Sequence, residues 1–312
     1  MKKINILLLG AGGDIGQSIF KILKEIDWIL TIIGTDININ SASCLIFDQY
    51  YQVPKCNHED YISVISKIII DEKITLILPV SEPEIRYFFH KEINFINDIP
   101  LVLPNSLSLF TALDKLKTVE FLEQHNLPYP KTHRQDEQFI LNYPIIAKSN
   151  TGSGSKSIIL IEDELDLNYV KRKFPNHILQ HFLPEDEGEY TCGLFCSSNG
   201  EIRHIVFKRD LMSGFSVFGE IIENDSIDRL LVKIATGLDL RGSINVQLRI
   251  VNGLPYVFEI NPRFSSTVRF RDLFGFKDVL WVLEDHLKHK LSGYKKPLKN
   301  RKFYKGFNEF IL

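Results

Sequence analysis

Residues 4–9 form a short apolar run that turns through Gly10-Ala-Gly-Gly-Asp-Ile-Gly16 into apolar residues at Ile19, Phe20, Ile22, Leu23 and Ile26. A strand that passes through several glycines straight into a helical period is the opening of an α/β layer, because the strand and helix must then pack on each other. The alternation continues. Residues 29–34 read as a second strand ending before Asp36, residues 61–70 as a helix, and residues 74–78 as a third strand. Residues 101–103 read as a short fourth strand closed by Pro104. Strands alternating with helices predict a mostly parallel sheet.

The pattern then changes. A helical stretch at 108–125 is ended by Pro128-Tyr-Pro130. A strand at 145–148, a Gly/Ser loop at 151–156, a strand at 157–161, a helix at 164–174 and a strand at 177–182 make a compact α+β subdomain. Beyond it, β-type runs at 190–196, 202–207, 243–250 and 256–260 are interrupted by a helix at 225–236. At about 150 residues per domain, 312 residues predict two domains.

Several function classes fall away on composition. Lys plus Arg number 37 and Asp plus Glu 39, so the net charge is −2 and the chain is no general polyanion binder. Neither nucleic acid nor a membrane is expected as a partner. A 44% hydrophobic and 24% charged chain is ordinary globular composition. No apolar run reaches the roughly 18 residues of a membrane span. The N-terminal apolar run stops at Gly10, too soon for the apolar core of a signal peptide. The cysteines (Cys44, Cys56, Cys192, Cys196) form no CxxC, and reduced thiols in a cytoplasmic protein are expected.

The glycine turn suits a phosphate, since its N–H groups and the helix N-terminus favour negative charge. Its spacing is GxxGxxG rather than GxGxxG, with Asp36 twenty residues beyond Gly16. A nicotinamide oxidoreductase is therefore one reading, supported by the i, i+4 pair Tyr169 and Lys173 as a proton relay.

The last third is more specific. Gly242-Ser-Ile-Asn-Val-Gln-Leu-Arg249, the turn Asn252-Gly253 and Tyr256-Val-Phe-Glu-Ile-Asn-Pro-Arg263 read as a β-hairpin. Alternation puts Glu259 and Asn261 on one face, and Asn245 and Gln247 on one face of the partner strand. Gln247, Glu259 and Asn261 can then converge as hard oxygen donors. They suit Mg²⁺ (or Mn²⁺) bound jointly with phosphates, with Gln247 either a ligand or a support for the other two. Arg263 follows at the lip as a fixed cation.

On these residues the chain resembles the ATP-grasp superfamily, of which carbamoyl-phosphate synthase, biotin carboxylase and other carboxylate–amine ligases are members. Phe258-Glu-Ile-Asn-Pro-Arg-Phe-Ser-Ser266 matches the metal-binding E-x-N-P-R motif, and Asn245-Val-Gln247 the preceding strand. The resemblance covers about residues 4–285. It implies a Rossmann-like domain at 1–103 and an ATP-grasp domain at 104–312. The latter divides into linker helices (104–141), a lid subdomain (142–182) and a catalytic lobe (183–312). It also implies site residues. Lys115 and Lys148 contact ATP phosphates, the latter at the end of Pro144-Ile-Ile-Ala-Lys148. Gly152, Ser153, Gly154 and Ser155 form the loop over the β- and γ-phosphates. Gln180, His181 and Leu183 form the adenine hinge, with backbone groups of His181 and Leu183 on the adenine edge. Glu189 takes the ribose, with Glu187 the alternative.

Lys148, Arg263 and Lys208 are the expected catalytic residues, and Lys208-Arg209 the expected contact to phosphate or an acyl intermediate. Gly12, Gly13, Ser81, Glu82 and Arg209 are candidates for the acceptor substrate, with Glu84 beside them. Binding at the ends of open α/β strands is the physical reason for the first four. The expected activity is ATP- and Mg²⁺-dependent ligation, activating a carboxylate as an acylphosphate and joining it to an amine of amino-acid or amino-sugar type. A non-catalytic ATP- or metabolite-binding protein is the alternative on the same fold. Partners are then small-molecule carboxylate and amine substrates, with a homodimer as the candidate assembly. The stretch after Asp285 carries eight lysines and arginines up to Lys305. It reads as a solvated tail or as a guide for an anionic substrate or membrane contact.

Overall fold

The computed structural model describes residues 3–137, 142–152, 158–212 and 214–306. Its first layer runs β1 (Ile4–Leu9), α1 (Asp14–Leu23), β2 (Ile29–Asp36), α2 (Ser43–Ile46), β3 (Gln49–Gln52), α3 (Tyr61–Asp71), β4 (Leu76–Pro79) and α4 (Glu82–His90). The strands form a parallel sheet in the order β3-β2-β1-β4. Burial on both faces explains why β1 is continuously apolar from Ile6 to Leu9 rather than alternating. Ile6 and Leu8 join a core with α1, while Leu7 and Leu9 join another with α3.

Two expectations are corrected here. Residues 101–103 contribute only an isolated bridge from Leu101 to Ile77. The fourth strand is instead β3, whose Gln-Tyr-Tyr-Gln sequence is half-exposed at the sheet edge and carries no apolar run.

A small hairpin, β5 (Phe95–Ile96) and β6 (Ile99–Pro100), leads to α5 (Ser106–Ala112) and α6 (Lys115–Gln124). The expected single helix at 108–125 is thus two. Asp114 caps α6, its Oδ1 accepting from the N–H groups of Leu116 (2.9 Å) and Lys117 (3.0 Å). That cap makes Lys115 the first residue of a new helix.

The second layer is an antiparallel sheet of β7 (Thr132–His133), β8 (Ile145–Ser149), β9 (Ile159–Ile161) and β10 (His177–His181), backed by α7 (Glu164–Lys173). Ile145, Ala147 and Ile161 point to its own core with Leu167, Val170 and Leu179. Alternation therefore sends Ile146 and Lys148 to the other face.

The third layer comprises β11 (Glu189–Cys196), β12 (Ile202–Met212), β13 (Phe215–Ile221), α8 (Asp225–Gly237), β14 (Gly242–Val251), β15 (Leu254–Asn261), α9 (Val268–Leu273), α10 (Asp278–His286) and β16 (Lys302–Tyr304). Its six strands run in the order β15-β14-β11-β12-β13-β16, all antiparallel. One face packs on α8. The other shares a single core with α9, α10 and the α1 side of the first layer. The basic C-terminal stretch is not a solvated tail in its described part. It adds the edge strand β16, with Lys305 on Asp14 (2.7 Å) and Lys296 on Asp228 (2.8 Å). All four cysteines are free thiols. Among the described residues no helix is long and apolar enough to cross a membrane.

Arg271 on α9 is fully buried between the layers. It donates to Asp278 (3.2 Å), Ser265 (2.6 Å), Thr267 (3.2 Å) and Asn245. Removing one partner of a buried pair leaves the other charge uncompensated. Asp278→Ala should therefore lower stability by about 3–5 kcal/mol, read as a fall in the urea midpoint. An unchanged midpoint would remove Arg271 from the list of structural anchors.

Candidate functional site

The second and third layers face each other across a cavity of about 570 Å³. That volume is in the range of small-molecule sites. Lys115, Lys148, Gly152, Gln180, His181, Leu183, Glu189, Gln247 and Glu259 all line it. Nine residues singled out from sequence, spread over nearly 150 positions, thus converge on one space.

The hairpin sets the floor. Asn245 pairs with Asn261 and Gln247 with Glu259, the alignment that alternation predicts. The next pair is Leu248 with Val257, so Phe258 is the extra residue of a β-bulge. The bulge turns Phe258 as well as Glu259 toward the cavity. It also places the Phe258 carbonyl against the second layer, where it accepts from Lys148 Nζ at 3.1 Å. The Phe258 ring lies under both Lys148 (5.9 Å) and the Arg249 guanidinium (5.8 Å).

Two ammonium groups meet one carboxylate above this floor. Lys115 Nζ is 3.7 Å from Glu259 Oε1 and donates to the Gly152 carbonyl at 2.7 Å. Lys148 is 5% exposed. Burial pushes its pKa down to about 7, Glu259 opposes that shift, and Lys115 and Arg249 reinforce it. Burial also disfavours the ionised form of Glu259. Lys115, Lys148, a hydrogen bond from Asn261 and Arg263 outweigh it and hold the carboxyl below its ordinary range.

Strand register explains a second cluster. Glu189 lies opposite Arg209 on β12 and opposite Arg249 on β14. Its Oε1 accepts from Arg209 Nη2 and its Oε2 from Arg249 Nη2, both at 2.8 Å. Arg209 Nη2 also donates to Gln247 Oε1 at 2.8 Å. Glu189 is thereby fixed at the cavity wall, and Arg209 braces it and Gln247 from behind. Glu187 lies outside the cavity lining, with its carboxylate on the Gly253 N–H (3.3 Å).

The wall also carries an apolar set, Ile146, Ile158, Leu160, Phe182 and Leu211, besides Ser149, Thr151 and Glu185. Such a slot suits a planar base. The His181 N–H is already donated to Lys131 (2.9 Å), and the Leu183 carbonyl accepts from Arg249 (2.6 Å). The His181 N–H and the Leu183 carbonyl are thus both engaged within the protein. Gln180 lines the cavity and donates from Nε2 to the Thr132 hydroxyl (2.8 Å).

Not every expected residue joins. Lys208 is exposed, and strand alternation puts it on the opposite sheet face from Arg209, with its stem over Gly188. It is not a cavity residue. Arg263 stands beside the cavity and donates to the Phe264 carbonyl (2.8 Å). Ser153, Gly154 and Ser155 lie outside the described residues. Tyr169 and Lys173 are exposed on α7, in a different layer from the glycine turn. In that turn the Gly12 N–H donates to Asp36 Oδ2 at 2.8 Å. An amide held by a carboxylate is a poor phosphate ligand. Gly13 is open, and Glu82 accepts from the Gly152 N–H at 3.1 Å. Sequence reasoning missed Arg249 and the bulge; the basic residue at Arg249, two after Gln247 on the same face, was the available signal.

The donor set fits a hard divalent cation shared with an anionic ligand: one ionised carboxylate (Glu259), the buried amide of Asn261 hydrogen-bonded to it, and no thiol or imidazole. Gln247 is engaged by Arg209 and fits a supporting role.

Layers in this order, with a basic, two-lobed cavity closed by an oxygen-donor hairpin, define a nucleotide-grasping fold. A family model described as ATP-grasp domain matches residues 112–267, and one described as PylC-like, N-terminal domain matches residues 6–102. The chain belongs to the ATP-grasp family. Solved structures share the fold. An ADP complex of purK, N5-carboxyaminoimidazole ribonucleotide synthetase, is 17% identical with a TM-score of 0.75, the match covering 97% of this chain and 81% of that one. N5-carboxyaminoimidazole synthetase from Staphylococcus aureus complexed with ADP is 16% identical with a TM-score of 0.75, covering 94% and 79%. A biotin carboxylase–β-γ-ATP complex from Campylobacter jejuni is 15% identical with a TM-score of 0.74, covering 96% and 74%.

A polyanion beside Lys148 favours its charged form, so nucleotide binding must raise a pKa now near 7 and take up a proton above that pH. Calorimetry at pH 8 in two buffers of different ionisation enthalpy should show uptake approaching about one proton per nucleotide. Lys148→Met should abolish the difference between buffers, and nucleotide affinity of the wild type should fall as pH rises through 7 to 9. Equal heats in both buffers would contradict the assignment.

Proposed function

We propose that the protein is an ATP- and Mg²⁺-dependent ligase that activates a carboxylate as an acylphosphate and joins it to an amine. The observation that carries this reading is the meeting of Lys115, Lys148 and Glu259 at the polar end of a cavity whose other end is an apolar slot. That polarity matches a molecule with a planar base at one end and a polyphosphate at the other.

In this reading the adenine lies between Ile146, Leu160 and Phe258, and Glu189 takes the ribose. Lys148 and Lys115 offset phosphate charge. A divalent ion, when bound, neutralises further phosphate charge, and Glu259 and Asn261 are the residues that would hold it. A substrate carboxylate oxygen attacks the γ-phosphorus and ADP departs. The amine nitrogen then attacks the acyl carbon, phosphate leaves, and the phosphate accepts the amine proton. The protein forms no bond itself; it positions reactants and stabilises charge. Residues 142–182 act as a lid that keeps water from the acylphosphate. In this reading Arg263, at the lip of the hairpin, meets the reacting carboxylate or phosphoryl group.

Lys148→Ala and Glu259→Ala should each lower ADP release by about 10²-fold or more, measured with amino acids and amino sugars as acceptors and products read by mass spectrometry. Melting curves should show both variants folded. Full activity in either would sink the assignment. Nucleotide binding with no ADP release under any acceptor would instead support a non-catalytic binder.

A further inference from the structure

Gln247 lies between the two charged clusters of the nucleotide cavity. On β14 it pairs with Glu259 of β15 on one side and with Thr191 of β11 on the other, two residues from the Glu189–Arg249 pair. Its amide has an oxygen that can hold a cation and an NH₂ that can only donate. Which end faces the cavity decides what Gln247 can bind.

The orientation is set by the partner. Arg209 Nη2 stands 2.8 Å from Gln247 Oε1. A guanidinium carries five donors and no acceptor, so the end of the amide that faces it is the oxygen. A flipped amide would set donor against donor. Arg209 is itself fixed. Its Nε and Nη2 donate to Glu189 Oε1 (3.2 and 2.8 Å), and its Nη1 to the buried Ser216 hydroxyl (3.2 Å). It is 7% exposed and lies outside the cavity lining. The amide oxygen is therefore spent behind the cavity wall. The NH₂ end is not. Gln247 lines the cavity, and its Nε2 has no hydrogen-bond partner among the described residues. Nor is Nε2 one of the buried polar atoms left unpaired, so it meets open space. Its surroundings select the ligand atom. The oxygens of Glu189 already take Nε and Nη2 of both Arg209 and Arg249. On the other side stand Glu259 and Lys115, 3.7 Å apart, with the buried Lys148. A cation has no use for an N–H group, whereas an anionic oxygen beside two lysines does.

We propose that Gln247 binds the nucleotide itself, donating from Nε2 to a phosphate oxygen, and that Arg209 withdraws its amide oxygen from metal ligation. The assignment rests on the nucleotide half of the ligase reading above. It leaves Glu259 and Asn261 as the pair that would hold the divalent ion. An N–H on an ionised phosphate is a charge-assisted bond, and it adds a direction that the point charges of Lys115 and Lys148 lack.

The test is calorimetry on the full chain with ADP and adenosine at saturating Mg²⁺, and a Mg²⁺ titration at saturating ADP. Gln247→Leu should weaken ADP binding by about tenfold or more. The Kd of adenosine and the half-saturating Mg²⁺ concentration should stay as in the wild type. Gln247→Glu keeps a partner for Arg209, so the test survives if Gln247→Leu fails to fold. With one oxygen on Arg209, its other oxygen faces the phosphates, and ADP should weaken at least as much as in Gln247→Leu. The proposal is overturned if either folded variant binds ADP as the wild type does, or if adenosine weakens in step with ADP, which is a ribose contact. It is equally overturned if Gln247→Leu raises the half-saturating Mg²⁺ concentration or Gln247→Glu tightens ADP binding, which are the marks of a metal ligand. A wild type that binds no ADP overturns both this assignment and the ligase reading. ADP binding that depends on Gln247, with no turnover under any acceptor, would remove the ligase reading and leave the assignment standing. Turnover with ADP binding indifferent to Gln247 would do the reverse.

Discussion

Lys148 keeps its ammonium on the carbonyl of Phe258 while only 5% exposed, and a buried cation is costly unless such partners are supplied. Supplying them shapes the surrounding structure. The carbonyl comes from a bulge and the countercharge from Glu259 on the next residue, while Lys115, from the first turn of a helix that Asp114 caps, adds a second cation that works against the charge on Lys148. Lys148, the Phe258–Glu259 pair and Lys115 belong to three different elements, so the polar end of the cavity exists only when two sheets and a helix are in register. Desolvation is what makes the arrangement effective. In a low-dielectric pocket the same charges act on a phosphate far more strongly than they would at the surface.

Much of this was legible because strand alternation is a strict rule. The placement of Glu259 with Asn261 and of Asn245 with Gln247 follows from period two, and the structure shows those pairs facing each other. The parallel first sheet was legible from continuous apolar runs at β1 and β4. What escaped notice did so for physical reasons. β3 is a polar edge strand whose sequence holds no burial signal. Bulges break the very alternation used to find hairpins, so period two gives no sign that Phe258 and Glu259 both line the cavity. Lys208 was coupled to Arg209 as neighbours in sequence, though neighbours on a strand point to opposite faces.

Charge partners were the least legible part. The sequence shows Glu189, Arg209 and Arg249 as separate residues. Only the sheet order, which puts β11 between β12 and β14, makes them a row across three strands. In the same way the basic C-terminal stretch looked unpaired until β16 was placed on the sheet edge, with Lys305 reaching Asp14 near the start of the chain. Short-range pattern cannot supply contacts separated by hundreds of residues.

Core membership has a mechanical consequence. The first and third layers share one apolar core, in which Ile6 and Leu8 belong to the same cluster as Trp281 and Phe303. Arg269 on Glu25 and Lys305 on Asp14 bind the two together at the surface. The sheet carrying Lys148 instead has a small core of its own. The first and third layers are therefore one packed body, and among the described residues the second layer carries a separate cluster. Its apolar residues are packed on one another rather than on that shared core. The same independence makes it the weakest cooperative unit, the place where amide exchange should run ahead of global unfolding.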